Sequence, residues 1–118
     1  MARITVDPIL LSGSTSGRGI KIAATATPGT LLHTAHATKT DRIWLSVTNS
    51  HSATVEITIQ WGGTTSPDDE TRQTIKFRSG EELLIAGRLL TGGLVVRAFA
   101  SVADKLIISG EVERITSE

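Results

Sequence analysis

The stretch from Ala53 to Asp69, ATVEITIQWGGTTSPDD, decides the fold. Val55, Ile57, Ile59 and Trp61 alternate with Thr54, Glu56, Thr58 and Gln60. Strand side chains point to opposite faces in turn, so the alternation predicts a strand with one face in a core and the other in water. Trp61 continues the apolar phase and is expected in that core. Gly62 and Gly63 admit backbone angles closed to other residues, and Pro67 fixes its own φ. The run GGTTSPDD should therefore leave the sheet as a structured loop.

Immediately upstream, Asp41 to Asn49 has the same period, with Ile43, Leu45 and Val47 on one face and Trp44, Ser46 and Thr48 on the other. The short Asn49 to Ser52 link predicts a hairpin between these two strands. Trp44 then stands on the polar face, either covered by a loop of the same chain or lying in a subunit contact, since Trp is enriched in interface cores.

Downstream, Thr71 to Phe77 supplies Ile75 and Phe77, and Ser79-Gly80 marks a turn. Leu83 to Leu90, LLIAGRLL, has no clean period of two; the reading adopted is a strand followed by a half-turn toward Gly92-Gly93. Leu94 to Ala100 and Lys105 to Ile115 are further strands, the latter burying Leu106, Ile108 and Val112. Upstream, Ile20 to Ala26 and Thr30 to Ala35 flank the Pro28-Gly29 turn. About seven to nine short strands with no helix between them is the pattern of a single-domain antiparallel β-sandwich, jelly-roll or Greek-key like.

Residues 1–19 read as an N-terminal arm and flexible connector, and residues 20–118 as the β-sandwich domain. Ile4, Val6, Ile9, Leu10 and Leu11 form the apolar part of the arm, tethered by SGSTSGRG. Two readings are open for it: an ordinary first strand, or an arm exchanged with a neighbouring subunit.

Composition narrows the function. The 118 residues suit one domain. Lys plus Arg and Asp plus Glu are balanced at 12 each, which argues against a nucleic-acid partner. No apolar run approaches the roughly 20 residues that span a bilayer, so no membrane partner is expected. The first residues lack the basic start and apolar centre of a secretory signal. Cysteine is absent, which rules out disulfides and thiolate metal sites and fits synthesis in a reducing cytoplasm.

The candidates for chemistry are weak. His33 and His36 stand three apart in an extended segment, which points their rings to opposite faces; both are read as exposed, with no metal between them. Asp68, Asp69 and Glu70 lack the alternating spacing of a calcium loop and read as a solvated turn. Gly13 to Lys21, GSTSGRGIK, lacks the Gly-Lys-Ser/Thr ending and the following helix of a phosphate-binding loop. No Ser sits in a G-x-S-x-G context, and the chain has too few aromatics to wall a glycosidase cleft. The expectation is no enzyme and no cofactor.

Several stretches carry a family resemblance: Thr30 to Thr34, Asp41 to Leu45, the run Thr58 to Asp69 containing W-G-G-T-T-S-P-D-D, Leu94 to Ala100 (L-V-V-R-A-F-A), and Gly110 to Ile115. In these the chain resembles small virion structural proteins of tailed bacteriophages, of the capsid decoration or cement type. The resemblance implies a protein without enzymatic activity that sits on the capsid exterior as a homotrimer, with the major capsid protein as partner, after synthesis in the host cytoplasm. It also implies Trp61 as a core anchor and Gly62 to Asp69 as a contact loop.

The candidate subunit or capsid contacts are Ile4, Val6, Ile9, Leu10 and Leu11 of the arm, Trp44 on the polar face of its strand, Leu89 and Leu90 as leftover apolar surface, and Thr64, Thr65, Asp68 and Asp69 of the loop that the resemblance implies; the resemblance does not extend to residues 1–19. The alternative is a tail or head-fibre component. A carbohydrate-binding sandwich using Trp44 as a stacking platform is a further alternative, set against two Trp, two Phe and no Tyr.

Overall fold

The computed structural model describes residues 3–117. Among them are nine strands and no helix: β1 (Ile4–Ile9), β2 (Ile20–Lys21), β3 (Thr30–Thr34), β4 (Thr40–Asn49), β5 (Val55–Trp61), β6 (Glu70–Ile75), β7 (Glu82–Leu90), β8 (Val95–Ala100) and β9 (Leu106–Ser117). They form two packed antiparallel sheets, a five-stranded one in the order β1-β9-β4-β7, with β2 also on β9, and a four-stranded one in the order β3-β8-β5-β6. β1 pairs with Val112 to Ser117 and β2 with Ile107 and Ile108, so the two are one interrupted strand along β9. Counted that way there are eight strands, and their order in the two sheets is that of a jelly roll.

The alternation seen in the sequence builds the core, with one departure in β5: Thr58 and Gln60, expected on the water face, are buried as well, because the Thr27 to Gly29 turn bonds to that face, Gln60 Oε1 accepting the Gly29 N–H (2.8 Å) and its Nε2 donating to Thr27 Oγ1 (2.9 Å). Ile43, Leu45 and Val47 of β4 are fully buried against Val55, Ile57 and Ile59 of β5, with Leu106, Ile108 and Val112 of β9 and Val96, Ala98 and Ala100 of β8 completing the layer. Truncating one such residue, Leu45→Ala for example, costs about 2 to 5 kcal/mol.

Four further expectations need correction. The Asn49 to Ser52 link is no hairpin, because β4 already has β9 and β7 on its two edges while β5 lies in the other sheet. Asn49 turns the chain across the sandwich: its Nδ2 donates to the carbonyls of Ala53 (3.1 Å) and Ile75 (2.9 Å), and its Oδ1 accepts from the His51 N–H (2.8 Å). A buried amide bonded to three backbone groups fixes that crossing. The hairpin instead joins β5 to β6, with Gln60 opposite Glu70 and GGTTSPDD as its loop.

Secondly, β7 runs unbroken from Glu82 to Leu90. Its pairing with β4 steps over Leu84 and over Gly87, where φ is 76°. Two bulges destroy the period of two. Thirdly, Trp61 is half-buried at the rim of the core, and the Arg88 guanidinium lies 5.0 Å from its ring centroid. Phe77, beyond the end of β6, is exposed.

The fourth correction concerns residues 1–19. Leu11 is only 2% exposed and belongs to the core. The connector is hydrogen-bonded structure: Gly13 N–H donates to the Leu32 carbonyl (3.0 Å), Ser14 N–H to that of Leu11 (2.9 Å), and Arg18 N–H to that of Thr15 (3.0 Å). Positive φ at Ser16 and Gly17 makes Thr15 to Arg18 a type I′ turn. No structural break falls at residue 19. Of the two readings left open for the arm, the first strand is observed within the chain, since β1 pairs along its whole length with β9.

Candidate contact surface and buried ion-pair network

Register determines what the larger sheet shows to solvent. Because Ile43, Leu45 and Val47 point inward, Arg42, Trp44 and Ser46 point outward, and so do the residues paired with them: Glu113 and Glu111 on β9, and Leu89, Ala86 and Leu83 on β7. On β1 the outward set is Ile4, Val6 and Pro8, with Val6 directly opposite Ile115. Apolar side chains thus stand at two places on the outer face, Ile4 (69% exposed) and Val6 with Ile115 at one end, and half-buried Trp44 with Leu89 and Leu83 (57% exposed) on β4 and β7, with Glu113 and Arg42 between the two groups.

The inward side of β1 is also open. Thr5 and Asp7, in phase with inward-facing Ile9, are exposed, so the smaller sheet does not cover this end and β1 with the tail of β9 overhangs the sandwich. The molecule measures 54 by 28 by 21 Å.

The expected contact residues divide accordingly. Ile4, Val6, Leu89 and Trp44 share the outer face, and Leu10 is exposed beside it. Ile9 is half-buried against the core. Leu11 and Leu90 are buried in the chain's own core and have little surface to offer a partner, which corrects their place in that set. Thr64, Thr65 and Asp68 are exposed in the β5–β6 loop, while Asp69 braces it: its Oδ2 accepts the Thr65 N–H (3.0 Å) and its backbone bonds Trp61 and Thr65. Glu70 accepts from Ser66 Oγ (3.0 Å) and Arg72 Nη2 (2.9 Å).

Clefts on the surface include two formed by the described residues. One, of about 390 Å³, lies between the connector and β9, with Arg18, Lys21 and Ile107 in its wall. The other, of about 200 Å³, lies on the outer face and is lined by Trp44, Glu111 and Glu113. The ring of Trp44 packs over Gly87, where a Cβ would come 3.2 Å from its Cζ2.

A network that the sequence reading missed lies inside the sandwich. His33, expected exposed, is buried. Ser12 N–H donates to its Nδ1 (3.0 Å), which makes Nδ1 an acceptor and places the ring proton on Nε2, 2.7 Å from Asp41 Oδ2. Asp41 is fully buried and also accepts from Arg114, whose Nε lies 2.8 Å from Oδ1 and whose Nη2 lies 3.0 Å from Oδ2.

Burial alone would push the Asp41 carboxyl up, but the hydrogen bonds from Arg114 and His33 outweigh it and hold it below its ordinary value. The same bond raises Arg114. Both nitrogens of His33 are engaged, and Ser12 Oγ accepts the Thr34 N–H (2.7 Å). The arrangement ties the connector, β3, β4 and β9 together. Among the described residues, no three His, Cys, Asp or Glu stand close enough to hold a metal ion.

The signal for this network was legible in part. Asp41 stands in phase with Ile43, Leu45 and Val47, and Arg114 in phase with Val112; a carboxylate in a core phase requires a cation. Comparison of the chain with family models, with curated proteins and with solved structures returns no match.

Proposed function

We propose that this chain is a non-enzymatic structural protein of a tailed-phage virion that binds the outer capsid surface and stabilises the shell, acting as a homotrimer. The observation that carries the reading is the outer face of the larger sheet, where Leu83 and Leu89 are exposed on the strand beside Trp44 and Ile4 and Val6 are exposed at the far end of the same face. Several large apolar side chains exposed on one face of a small domain mark an interaction site, and Trp44 and Arg42 on that face are residue types enriched in interfaces.

The resemblance in the W-G-G-T-T-S-P-D-D and L-V-V-R-A-F-A runs supports the phage assignment. The exposed tip of the β5–β6 loop offers a second point of contact. The jelly roll itself does not choose, since it serves viral shell and carbohydrate-binding domains alike.

The test is to mix the purified protein with undecorated shells and image them, with light scattering on the protein alone. Density on the shell lattice and a mass three times 12.5 kDa are expected. Binding confined to tails would favour the tail or fibre alternative. A monomer that binds neither would overturn the proposal.

A further inference from the structure

The geometry points to the cleft of Trp44, Glu111 and Glu113 as a socket for an arginine side chain of a partner protein. The inference rests on the outer face being the contact surface and adds the chemistry of what enters it. Glu111 stands directly opposite Trp44 across the β4–β9 ladder, and Glu113 follows on the same face two residues on. The cleft of about 200 Å³ between them takes one long side chain.

Gly87 supports the ring from one side, its φ of 76° in a bulge and its missing Cβ letting the indole lie against the backbone. The ring is therefore held in place, with the two carboxylates beside it. Among the described residues neither glutamate has an ion-pair partner, and two like charges on adjacent same-face positions repel until a cation joins them.

The chain shows which cation such a ring takes. Its other tryptophan, Trp61, is already covered by the guanidinium of Arg88 at 5.0 Å, whereas no cation of the described residues lies over Trp44. A guanidinium stacks on an indole and bonds carboxylates along its edge at once, which an ammonium does not do as well. Arg42, directly opposite Glu113, is the internal competitor next to the cleft, and Lys21, opposite Ile107, shares the face farther along β9; neither makes an ion pair with these glutamates.

The experiment follows the two indole N–H signals of the intact ¹⁵N-labelled protein, assigned with Trp44→Phe, during titration with N-acetyl-arginine amide at constant ionic strength. The Trp44 signal should shift saturably while that of Trp61 stays, and the lysine analogue should bind more weakly. Glu111→Gln/Glu113→Gln, both near the surface, should weaken binding at least about tenfold, and Arg42→Gln should tighten it. Undiminished binding by the double variant, or an equal Trp44 shift with the neutral sugar maltotriose, overturns the inference. The probe needs no shell, so a protein that takes arginine but does not decorate shells refutes only the function proposed above.

Discussion

Replacing Arg114 by Met tests the buried network at its most sensitive point. Arg114 supplies two of the three hydrogen bonds that the fully buried Asp41 carboxylate receives, at 2.8 and 3.0 Å. Hydrogen bonds to a charged group contribute roughly 1.5 to 3 kcal/mol, and removing one partner of a buried pair costs about 3 to 5 kcal/mol. The Arg114 side chain is 22% exposed, so water reaches the vacated site and lowers the cost. The expected loss is about 2 to 4 kcal/mol in urea unfolding at neutral pH, a large share of the roughly 5 to 15 kcal/mol of a typical domain.

The pH dependence carries more information than the size of the loss. In the parent, Asp41 has a folded value below its ordinary 3.8, so its contribution is present above that pH and is lost as pH falls through the lowered value. In the variant, burial is opposed only by His33, and the carboxyl should move above its ordinary value. The folded state then binds the proton first, and the variant gains stability as pH falls toward 3.8. The difference in stability between parent and variant should therefore shrink on acidification. A loss under about 0.5 kcal/mol, or a difference independent of pH, would refute the account of Asp41 as a carboxylate held charged by Arg114.

Two further outcomes check other parts of the structure. Deleting residues 1–9 removes a strand whose side chains are mostly exposed and should leave a cooperatively folding domain, whereas deleting residues 1–19 also removes Leu11 and the Ser12 bond to His33 and should give an insoluble or molten product; circular dichroism and thermal unfolding distinguish them. Gly87→Val places a β-branched side chain at φ 76° against Trp44 and should cost about 1 to 3 kcal/mol, with Gly87→Asn milder because Asn tolerates that conformation; equal melting temperatures for the two would show that the bulge is not constrained.

Where one rule governs a segment, the sequence was readable. The alternations in β4 and β9 predicted their inward residues, because a strand with one buried face has no other phase to adopt; in β5 the inward set was also right, but the outer face at Thr58 and Gln60 is covered by the Thr27 to Gly29 turn, which the alternation does not record. Connections were not readable in the same way. The Asn49 to Ser52 link is short enough for a hairpin, and only the engagement of both β4 edges by strands distant in sequence makes it a crossing. Leu83 to Leu90 failed because two bulges reset the phase, which composition does not record. His33 was misplaced because its burial depends on Asp41, Arg114 and Ser12 together, three residues brought in by separate elements. For the candidate contact surface, the sequence marked Ile4, Val6, Trp44 and Leu89 singly, and it took the register of four strands to put them on one face.

The position of β9 has a consequence for synthesis. This twelve-residue strand pairs with β1, β2 and β4, yet it is the most C-terminal strand of all. While the chain is being made, β1 and β2 have nothing to pair with, and β4 carries an open edge next to Trp44. The smaller sheet, whose strands all precede β9, is available earlier. Folding of the larger sheet must wait for the translation of residues 106 to 117, and closing the loop from β1 to β9 carries the entropy of nearly the whole chain. Exposed strand edges persist for that interval, so a slow ribosome or a stop within β9 should yield chains that aggregate through β1 and β4 rather than fragments of a stable domain.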